Sequence, residues 1–321
     1  MDLLWRPLTL DDAPAMAELV AITEKVEPTG EHYDAADLRE LMSSPNVDLT
    51  GASTSGWDGE RLVASGIVIR RGSADPAHMV RFEALTHPDY RDDALGEHLM
   101  AWFAESAKRV HEKAFPGAPL ELHAAAHEDQ RWFAGTLERA GFRHLRSFVD
   151  MRADLASLPP ARPLPPGFEP VPYTGRYDEL TRLARNAVFA DHWGSAEQSP
   201  EMWRHQVSES KDFRPELSFL LLSPAGDEVL AFVLSAYFAS DEAATGVREL
   251  YVSDVGTRES LRGRGIASAL LGYTLEKAKE QGFERSALNV DVDNAQGALG
   301  VYERCGYRTV QTWAGYVLPV T

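Results

Sequence analysis

The chain has 321 residues, of which 44% are hydrophobic and 25% are charged, and its formal net charge is −17. Such a length suits about two domains of roughly 100–200 residues each, and the composition is that of a folded protein. The acidic balance argues against a nucleic-acid partner, because a phosphate backbone is bound through clustered Lys and Arg. It is compatible with a cationic substrate, although many proteins are acidic only to stay dispersed.

The only cysteine, Cys305, excludes an intrachain disulfide. Because it precedes a glycine near a predicted helix end, we expect a small buried thiol rather than a nucleophile. The N-terminal residues lack the basic-then-apolar layout of a signal peptide. The longest apolar stretch, 229–239, is too short to span a bilayer and predicts a buried strand. We therefore expect a cytoplasmic protein with no membrane partner.

The first half of the chain alternates strand and helix patterns. In chain order the patterns predict a strand over 4–7, a helix over 11–24, strands over 62–70 and 80–86, and a long helix over 94–112. One more strand, a short helix and a closing strand follow. A proline-rich segment, 155–166, then divides the chain almost in half, and its prolines predict an extended, fairly stiff linker.

The second half repeats this order of elements. Its patterns predict a strand over 168–171, a helix over 177–190, strands over 218–222, 229–238 and 248–255, and a long helix over 265–281. Residues 137–143 also match residues 302–308 in sequence. We therefore predict two tandem α/β domains, each a mixed, mostly antiparallel sheet flanked by helices. Their predicted bounds are 1–154 and 167–321, with the linker over 155–166.

A glycine-rich loop joins the strand over 248–255 to the long helix. Glycines let backbone N–H groups approach a phosphate, and a helix N-terminus adds unpaired donors and partial positive charge. Arginines beside the glycines strengthen the prediction of a pyrophosphate site. The loop residues are Arg262, Gly263, Arg264, Gly265, Ile266 and Ala267, followed by Ser268.

This loop resembles the R/Q-x-x-G-x-G/A motif of the GNAT acyltransferase superfamily, and Asn294 with Tyr302 resembles that superfamily's second motif. The resemblance covers residues 168–321 and, more loosely, the whole chain. It implies acetyl-CoA as co-substrate, no metal, and a pyrophosphate bound by 262–268. It also implies that the fourth and fifth strands splay. The pantetheine arm would then pair with Ser253, Asp254 and Val255 and contact Asn294, and a backbone N–H near Val255 would stabilise the developing oxyanion.

Glu249 and Tyr302 are the candidate catalytic residues. An alkyl ammonium has a pKa near ~10 and must lose a proton before it attacks, and the resemblance favours Glu249 as the base, directly or through a water. The alternative for Glu249 is an ion pair with Arg248 or Arg285. Tyr302 is the candidate acid for the departing thiolate, because a phenol at ~10 and a thiol at ~8.5 are nearly matched. The alternative is an aromatic residue packed on a helix.

The strand that begins at Glu249 also resembles the E-x-Y-V-x-x-V strand of the mycothiol synthase family, whose members carry tandem domains. There the end of the first helix contacts the acceptor, which implies substrate contacts for Asp191, His192 and Trp193. Asp and His at a helix end are also common caps. Two departures leave the acceptor open: the loop before Arg262 is about two residues longer, and Asn289 replaces an expected aromatic residue.

The first half departs from the loop pattern. Only Arg91 and Gly96 of the motif survive, Ala94 stands where the key glycine belongs, and Asp92 and Asp93 bring negative charge that repels a pyrophosphate. In the second motif, Leu137 stands in place of Tyr302. We interpret this half as an inactive copy that supports the fold and shapes the acceptor cleft. The alternative is a copy that binds acetyl-CoA without turnover.

The sequence therefore predicts an acetyl-CoA-dependent N-acetyltransferase that acts on a primary amine of a small molecule, with mycothiol-synthase-like chemistry as the nearest resemblance. Acetylation of an aminoglycoside or another amine antibiotic is one alternative, and non-catalytic binding of acyl-CoA is another. Dinucleotide or ATP binding is disfavoured, because no G-x-G-x-x-G opens the chain and no G-K-[ST] occurs. A tandem copy can replace a dimer partner, so a monomer is expected.

Overall fold

A computed structural model of the chain describes residues 3–293 and 297–320. Its strands are β1 (Leu4–Arg6), β2 (Ser53–Asp58), β3 (Arg61–Arg70), β4 (His78–Thr86), β5 (Leu120–His127), β6 (Arg143–Asp154), β7 (Val171–Pro172), β8 (Phe219–Leu222), β9 (Val229–Ala236), β10 (Glu249–Thr257), β11 (Arg285–Asp291) and β12 (Arg308–Val320). Its helices are α1 (Ala13–Glu24), α2 (Ala35–Met42), α3 (Leu49–Ala52), α4 (Asp93–Ala114), α5 (Arg131–Arg139), α6 (Asp178–Val188), α7 (Pro200–Trp203), α8 (Ala239–Thr245), α9 (Ile266–Glu280) and α10 (Ala298–Arg304). None of the described helices is long and apolar enough to cross a membrane.

The chain forms two compact units. The first contains the described residues up to Ser147 together with residues 312–320, and the second contains residues 148–311. Two long strands therefore divide between the units, since residues 148–154 of β6 belong to the second and residues 312–320 of β12 belong to the first. The domain bounds predicted from the sequence repeat, 1–154 and 167–321, remain a prediction about the repeats. The compact units are grouped differently.

The first unit has strand order β1, β2, β3, β4, β5 and β12. Only the β4–β5 pair is parallel among these, and the other neighbours are antiparallel. Helix α4 packs its apolar stripe on the sheet, where Leu99 and Phe103 are buried with Phe82 of β4. That spacing of four residues places both side chains on one helical face, which explains why the helix lies flat on the strands.

The second unit repeats this plan with strand order β6, β11, β10, β9, β8 and β7. The β10–β11 pair is parallel, and the other neighbouring strands in this order are antiparallel. Helix α9 buries Ile266, Leu270 and Leu271 against the apolar face of this sheet, and α6 covers the opposite face through residues such as Ala184. Each unit is thus a mixed, mostly antiparallel sheet with helices on its faces, and the predicted fold class is confirmed.

The proline-rich segment is packed rather than free. Leu155 is completely buried in the core of the second unit, and Leu158 and Leu164 pack against the same core. Residues 155–157 form a short 3-10 helix, and residues 158–165 contain neither helix nor strand. The proline spacing carries no information about this docking, which depends on apolar residues between the prolines.

Candidate active site

A cavity of about 620 Å³ lies in the second unit, where the end of α6, strand β10, the loop before α9, and α10 converge. Most of the sequence-predicted site residues line it. Those that do are His192, Trp193, Ser253, Asp254, Val255, Arg262, Gly263, Gly265, Ile266, Ala267, Ser268 and Tyr302. Glu249, Asp191 and Arg264 are not among its lining residues, and Asn294 lies outside the described residues.

The loop before α9 takes a backbone form that only glycine adopts easily. Gly263 and Gly265 both have a φ of +76°, in the left-handed region. Gly265 precedes the helix and has no side chain to cap it, and within residues 3–293 and 297–320 no side chain accepts a hydrogen bond from the first turn of α9. The N–H groups of that turn therefore remain available to a ligand, together with the positive end of a 15-residue helix. This geometry fits a phosphate group.

Arg262 adds a positive charge that no described carboxylate neutralises. Its guanidinium donates only to backbone carbonyls, at 3.4 Å to Thr257 and 3.5 Å to Val188. Within residues 3–293 and 297–320 it has no ion pair within 4.0 Å. Both contacts are long, so the side chain can turn toward an anion at a small energetic cost. Arg264 is exposed and is not among the residues that line the cavity.

Strands β10 and β11 part beside the cavity. Their pairing covers Glu249, Leu250 and Tyr251 against residues 285–287, although β10 continues to Thr257 and β11 to Asp291. On the other side of β10, the register with β9 shifts between Val252 and Asp254, which marks a β-bulge at Ser253. A bulge re-aims the side chains next to it, and a parted strand leaves backbone groups for a ligand.

The bulge turns Asp254 into the cavity beside a cation. The Nε of Arg185, from α6, lies 3.5 Å from the Asp254 carboxylate. Burial raises the pKa of Asp254, and Arg185 offsets part of this rise. The same guanidinium donates to the Ala196 carbonyl at 2.9 Å and lies over the Phe189 ring at 5.0 Å. Arg185 therefore holds Asp254 and the segment after α6 in one arrangement.

Tyr302 lies on α10 and is packed against the core of the second unit while it lines the cavity. Burial, and next the negative charge of Asp254, raises the pKa of Tyr302 to about 12. The phenol is therefore protonated near neutral pH and is available as a proton donor. Both sequence-based interpretations of this residue describe part of its setting, since it is a packed aromatic with its ring edge in the site.

Glu249, the candidate base acting directly or through a water, is held in a cluster of ion pairs. Its carboxylate is bound by two guanidinium groups, at 3.1 Å from Arg152 and 3.0 Å from Arg285. It lies four residues before Ser253, which is roughly 13 Å along an extended strand. The ion pair with Arg285 that was the alternative is thus present. The assignment of Glu249 as the base stays a prediction without a contact to the cavity.

Aromatic side chains form part of the cavity wall. Trp193 lies 6.2 Å from the ring of Phe148, and His192 meets Phe189 edge-on at 5.4 Å. Asn289 also lines the cavity and donates to Asp150 at 2.7 Å. Sequence reasoning singled out Asn289 only as a departure from a family pattern, and it missed Phe148 because the strand before the linker carries no motif.

Three arginines of the cavity were not predicted as site residues: Arg162, Arg185 and Arg304. Arg304 lies in the matched segment of the second half and is the last residue of α10. Its spacing from the cavity-lining residues of that helix could have indicated it. Arg185 and Phe189 are four residues apart, which places them on one helical face. Nothing in the sequence indicates Arg162, since its role depends on how the linker folds back.

The buried Cys305 thiol lies 3.5 Å from the Ser268 carbonyl, and burial raises its pKa to about 11. It is therefore a packed thiol and not a nucleophile, as expected. Among the described residues, no group of three or more His, Cys, Asp or Glu is arranged to hold a metal ion.

The sequence of the chain was compared with those of known proteins. Residues 185–307 match the model of the Acetyltransferase (GNAT) family. The chain is 30% identical over 323 residues to the mycothiol acetyltransferase of Actinosynnema mirum, with 99% of each chain covered. It is 28% identical over 335 residues to the mycothiol acetyltransferase of Parafrankia sp., with 95% of each covered.

Two solved structures share the fold. A GCN5-related N-acetyltransferase from Sphaerobacter thermophilus superposes with a TM-score of 0.77 at 22% identity, covering 99% of this chain and 95% of that one. A tandem GNAT protein from the clavulanic acid biosynthesis pathway superposes with a TM-score of 0.72 at 14% identity, covering 99% and 98%. The chain belongs to the GNAT acetyltransferase family and is an N-acetyltransferase with two tandem GNAT-like units.

Proposed function

We propose that the chain transfers an acetyl group from acetyl-CoA to the primary amine of a small molecule, and that this reaction takes place in the cavity of the second unit. The observation that carries the proposal is the free N-terminus of α9. Its glycine loop lines the same cavity as Asp254 and Tyr302. A phosphate site and a proton donor within one cavity match the two ends of a CoA thioester.

The loop supports this ligand by its shape as well as its charge. A Cβ added at Gly265 would lie 2.7 Å from the guanidinium of Arg162, so the absence of a side chain lets this cation lie next to the loop. We propose that residues 262–268 bind the pyrophosphate, and that the backbone of Ser253, Asp254 and Val255 binds the pantetheine arm. Asn294 remains a further proposed contact. Acetyl-CoA supplies the acetyl group as a thioester.

We propose that Asp254 accepts the proton that the acceptor ammonium must lose. Its carboxylate lines the cavity, whereas that of the predicted base, Glu249, is bound by two arginines away from it. The raised pKa makes Asp254 a stronger base than an exposed carboxylate. In the acetyl transfer, the amine nitrogen bonds to the acetyl carbon, the carbon–sulfur bond breaks, and Tyr302 donates a proton to the departing sulfur.

For the acceptor we propose an amine of the kind used by the mycothiol acetyltransferases that this chain resembles over nearly its whole length. The aromatic wall formed by Trp193, Phe148 and Phe189 supports an acceptor with an apolar or ring-shaped body. We propose that His192 and Trp193 contact it, and that Asp191 lies at the edge of this region. The two repeats within one chain support a monomer.

The test is a thiol-release assay on the full chain with acetyl-CoA and a panel of amines. The panel contains a cysteinyl-aminosugar amine, an aminoglycoside and a simple alkyl amine. Amine-dependent release of CoA, with the acetylated product identified by mass spectrometry, is the expected result. Turnover of the aminoglycoside alone would replace the proposed acceptor class. Tight CoA binding without release for any amine would indicate a binding protein.

A further inference from the structure

Three residues of the linker lie close to glycines of the second unit. A Cβ added at Gly306 would lie 2.9 Å from Pro159, one at Gly272 would lie 3.3 Å from Ala161, and one at Gly265 would lie 2.7 Å from Arg162. Real Cβ atoms hardly ever come closer than about 3 Å to another heavy atom, so the approach of the rigid Pro159 ring requires glycine at position 306, whereas the Arg162 guanidinium at Gly265 is the end of a flexible side chain. We name residues 158–162 the strap, since this segment lies beside the first half of α9 and lines a small cavity together with Ser268 and Gly272 of that helix.

The strap ends with its arginine over the first turn of α9. The Cζ and Nη1 atoms of Arg162 are the atoms nearest to the added Cβ of Gly265. Gly265 immediately precedes the helix, so the guanidinium lies beside the uncapped N–H groups. A cation at the positive end of a helix is unfavourable unless an anion joins them. The contact therefore points to an anion that is held by both.

No described carboxylate supplies that anion. Within residues 3–293 and 297–320, neither Arg162 nor Arg304 has an ion pair within 4.0 Å. Glu276 of α9 lines a smaller neighbouring cavity of about 240 Å³, and it too forms no ion pair with them. Arg162, Ser268 and Arg304 line both this cavity and the larger one. Two unneutralised guanidinium groups thus stand where the two cavities adjoin.

We propose that Arg162 is a phosphate-binding residue of the second unit, and that the linker supplies it to the pyrophosphate of CoA. The inference rests on the proposed function. It assigns to the strap a share of the cofactor site that neither the loop motif nor the family resemblance implies. Arg162 closes over the pyrophosphate from the side opposite the α9 backbone, with Arg304 nearby in the adjoining cavity.

The experiment compares the full chain with its Arg162→Ala and Arg162→Lys variants by isothermal titration with CoA, dephospho-CoA and pantetheine. Arg131→Ala, at an exposed arginine at the start of α5, is the control for the same change in net charge. We expect Arg162→Ala to weaken CoA binding about tenfold or more, because a hydrogen bond to a charged group is lost. Arg162→Lys should retain part of the affinity, since it keeps the charge but not the fork.

The ligands separate the outcomes. The loss should be equally large with dephospho-CoA, which keeps the pyrophosphate, and absent with pantetheine, which lacks it. A loss that disappears with dephospho-CoA would place Arg162 on the 3′-phosphate and overturn the assignment. Unchanged CoA affinity in Arg162→Ala would overturn it as well. If the unsubstituted chain bound no CoA, the proposed function itself would fail, which is a separate result.

Discussion

The two units begin their long helices in opposite ways. Asp92 precedes α4, and its carboxylate accepts a hydrogen bond from the Leu95 N–H at 2.8 Å. Gly265 precedes α9, and none of the described side chains caps the first turn. In a capped helix, an N–H group of the first turn already donates to a side chain, whereas in an uncapped helix these N–H groups remain available to a ligand. The same architecture thus yields one helix N-terminus with a side-chain cap and one without such a cap among the described residues.

The neighbouring arginines follow the same contrast. Arg91 of the first unit forms a buried ion pair with Glu27 at 2.7 Å, while Arg262 of the second donates only to carbonyls at 3.4–3.5 Å. Asp93 is in turn paired with Arg139 at 3.1 Å. In the first unit, both the surviving motif arginine and the added Asp93 thus have an internal partner. These contacts support the interpretation of the first unit as an inactive copy, which remains a proposal.

The largest effect is expected when the second helix end is given the carboxylate of the first. Gly265→Asp should weaken CoA binding by about 100-fold or more, because the new carboxylate repels the phosphates and competes for two or more donors. Gly246→Asp is the control, since Gly246 has a similar φ of +71° but open space around it. Calorimetric titration checks the affinity. Equal losses in both variants would show backbone strain rather than charge.

Removal of the proton donor should have the next largest effect. Tyr302→Phe should lower kcat about 10²-fold and leave the KM for acetyl-CoA nearly unchanged, since general acids contribute roughly 10²–10⁴-fold. Tyr307→Phe is the matched control, because Tyr307 is fully buried and its hydroxyl shares a hydrogen bond with Ser286 at 2.7 Å. It should lower stability by about 1 kcal/mol and keep kcat. Steady-state kinetics with full activity in Tyr302→Phe would refute the assignment.

The two carboxylates of β10 can be separated by amide substitutions. Asp254→Asn should lower kcat at least tenfold, whereas Glu249→Gln should keep kcat within a few-fold and lower the melting temperature, since two arginines lose their partner. Burial raises the pKa of Asp254, so its basic form accumulates only as the pH rises through that raised value.

The pH profile of kcat/KM should accordingly rise on its acidic side, with Arg185 and Tyr302 as the charged and titratable neighbours of Asp254. This rise should be absent in Asp254→Asn. The reverse pattern, with an inactive Glu249→Gln and an active Asp254→Asn, would restore the base predicted from the sequence.

The smallest effect is expected in the first unit. Asp92→Ala removes the cap of α4 and should destabilise the chain by about 1 kcal/mol, a shift of roughly 2–4 °C in Tm. The catalytic rate should not change. Asp89→Ala is the control, because the Asp89 side chain is 84% exposed. Scanning calorimetry gives the Tm of both variants, and steady-state kinetics gives their kcat. A lower kcat in Asp92→Ala would link the first unit to catalysis.

The sequence predicted most elements because their apolar spacing is regular. The helix predicted over 265–281 is found as Ile266–Glu280, and the strand over 80–86 as His78–Thr86. Strand β2 was missed, since its residues Ser53, Thr54 and Ser55 are polar yet buried. They are tolerated there because their hydroxyls form hydrogen bonds, such as that of Ser55 to the Arg6 carbonyl at 2.8 Å.

The site could be predicted only where it is local in sequence. The loop before α9 is contiguous in sequence, so its glycines and arginines could be recognised as a motif. Asp254 was expected for its backbone alone, because the bulge that aims its side chain at the cavity depends on the pairing of β10 with β9. Arg162 depends on a contact across about 100 residues, which no spacing rule describes.

The division of β12 also bears on how the chain is made. Residues 313–320 pair with β5 along residues 120–127, so the sheet of the first unit lacks its last strand until those residues have been synthesised. Translation proceeds at roughly 5–20 residues per second, which leaves β5 with an open edge for about 10–30 s after the first unit has emerged. During that interval the exposed edge is a site for mispairing with other nascent chains, and truncation at the linker would make this exposure permanent.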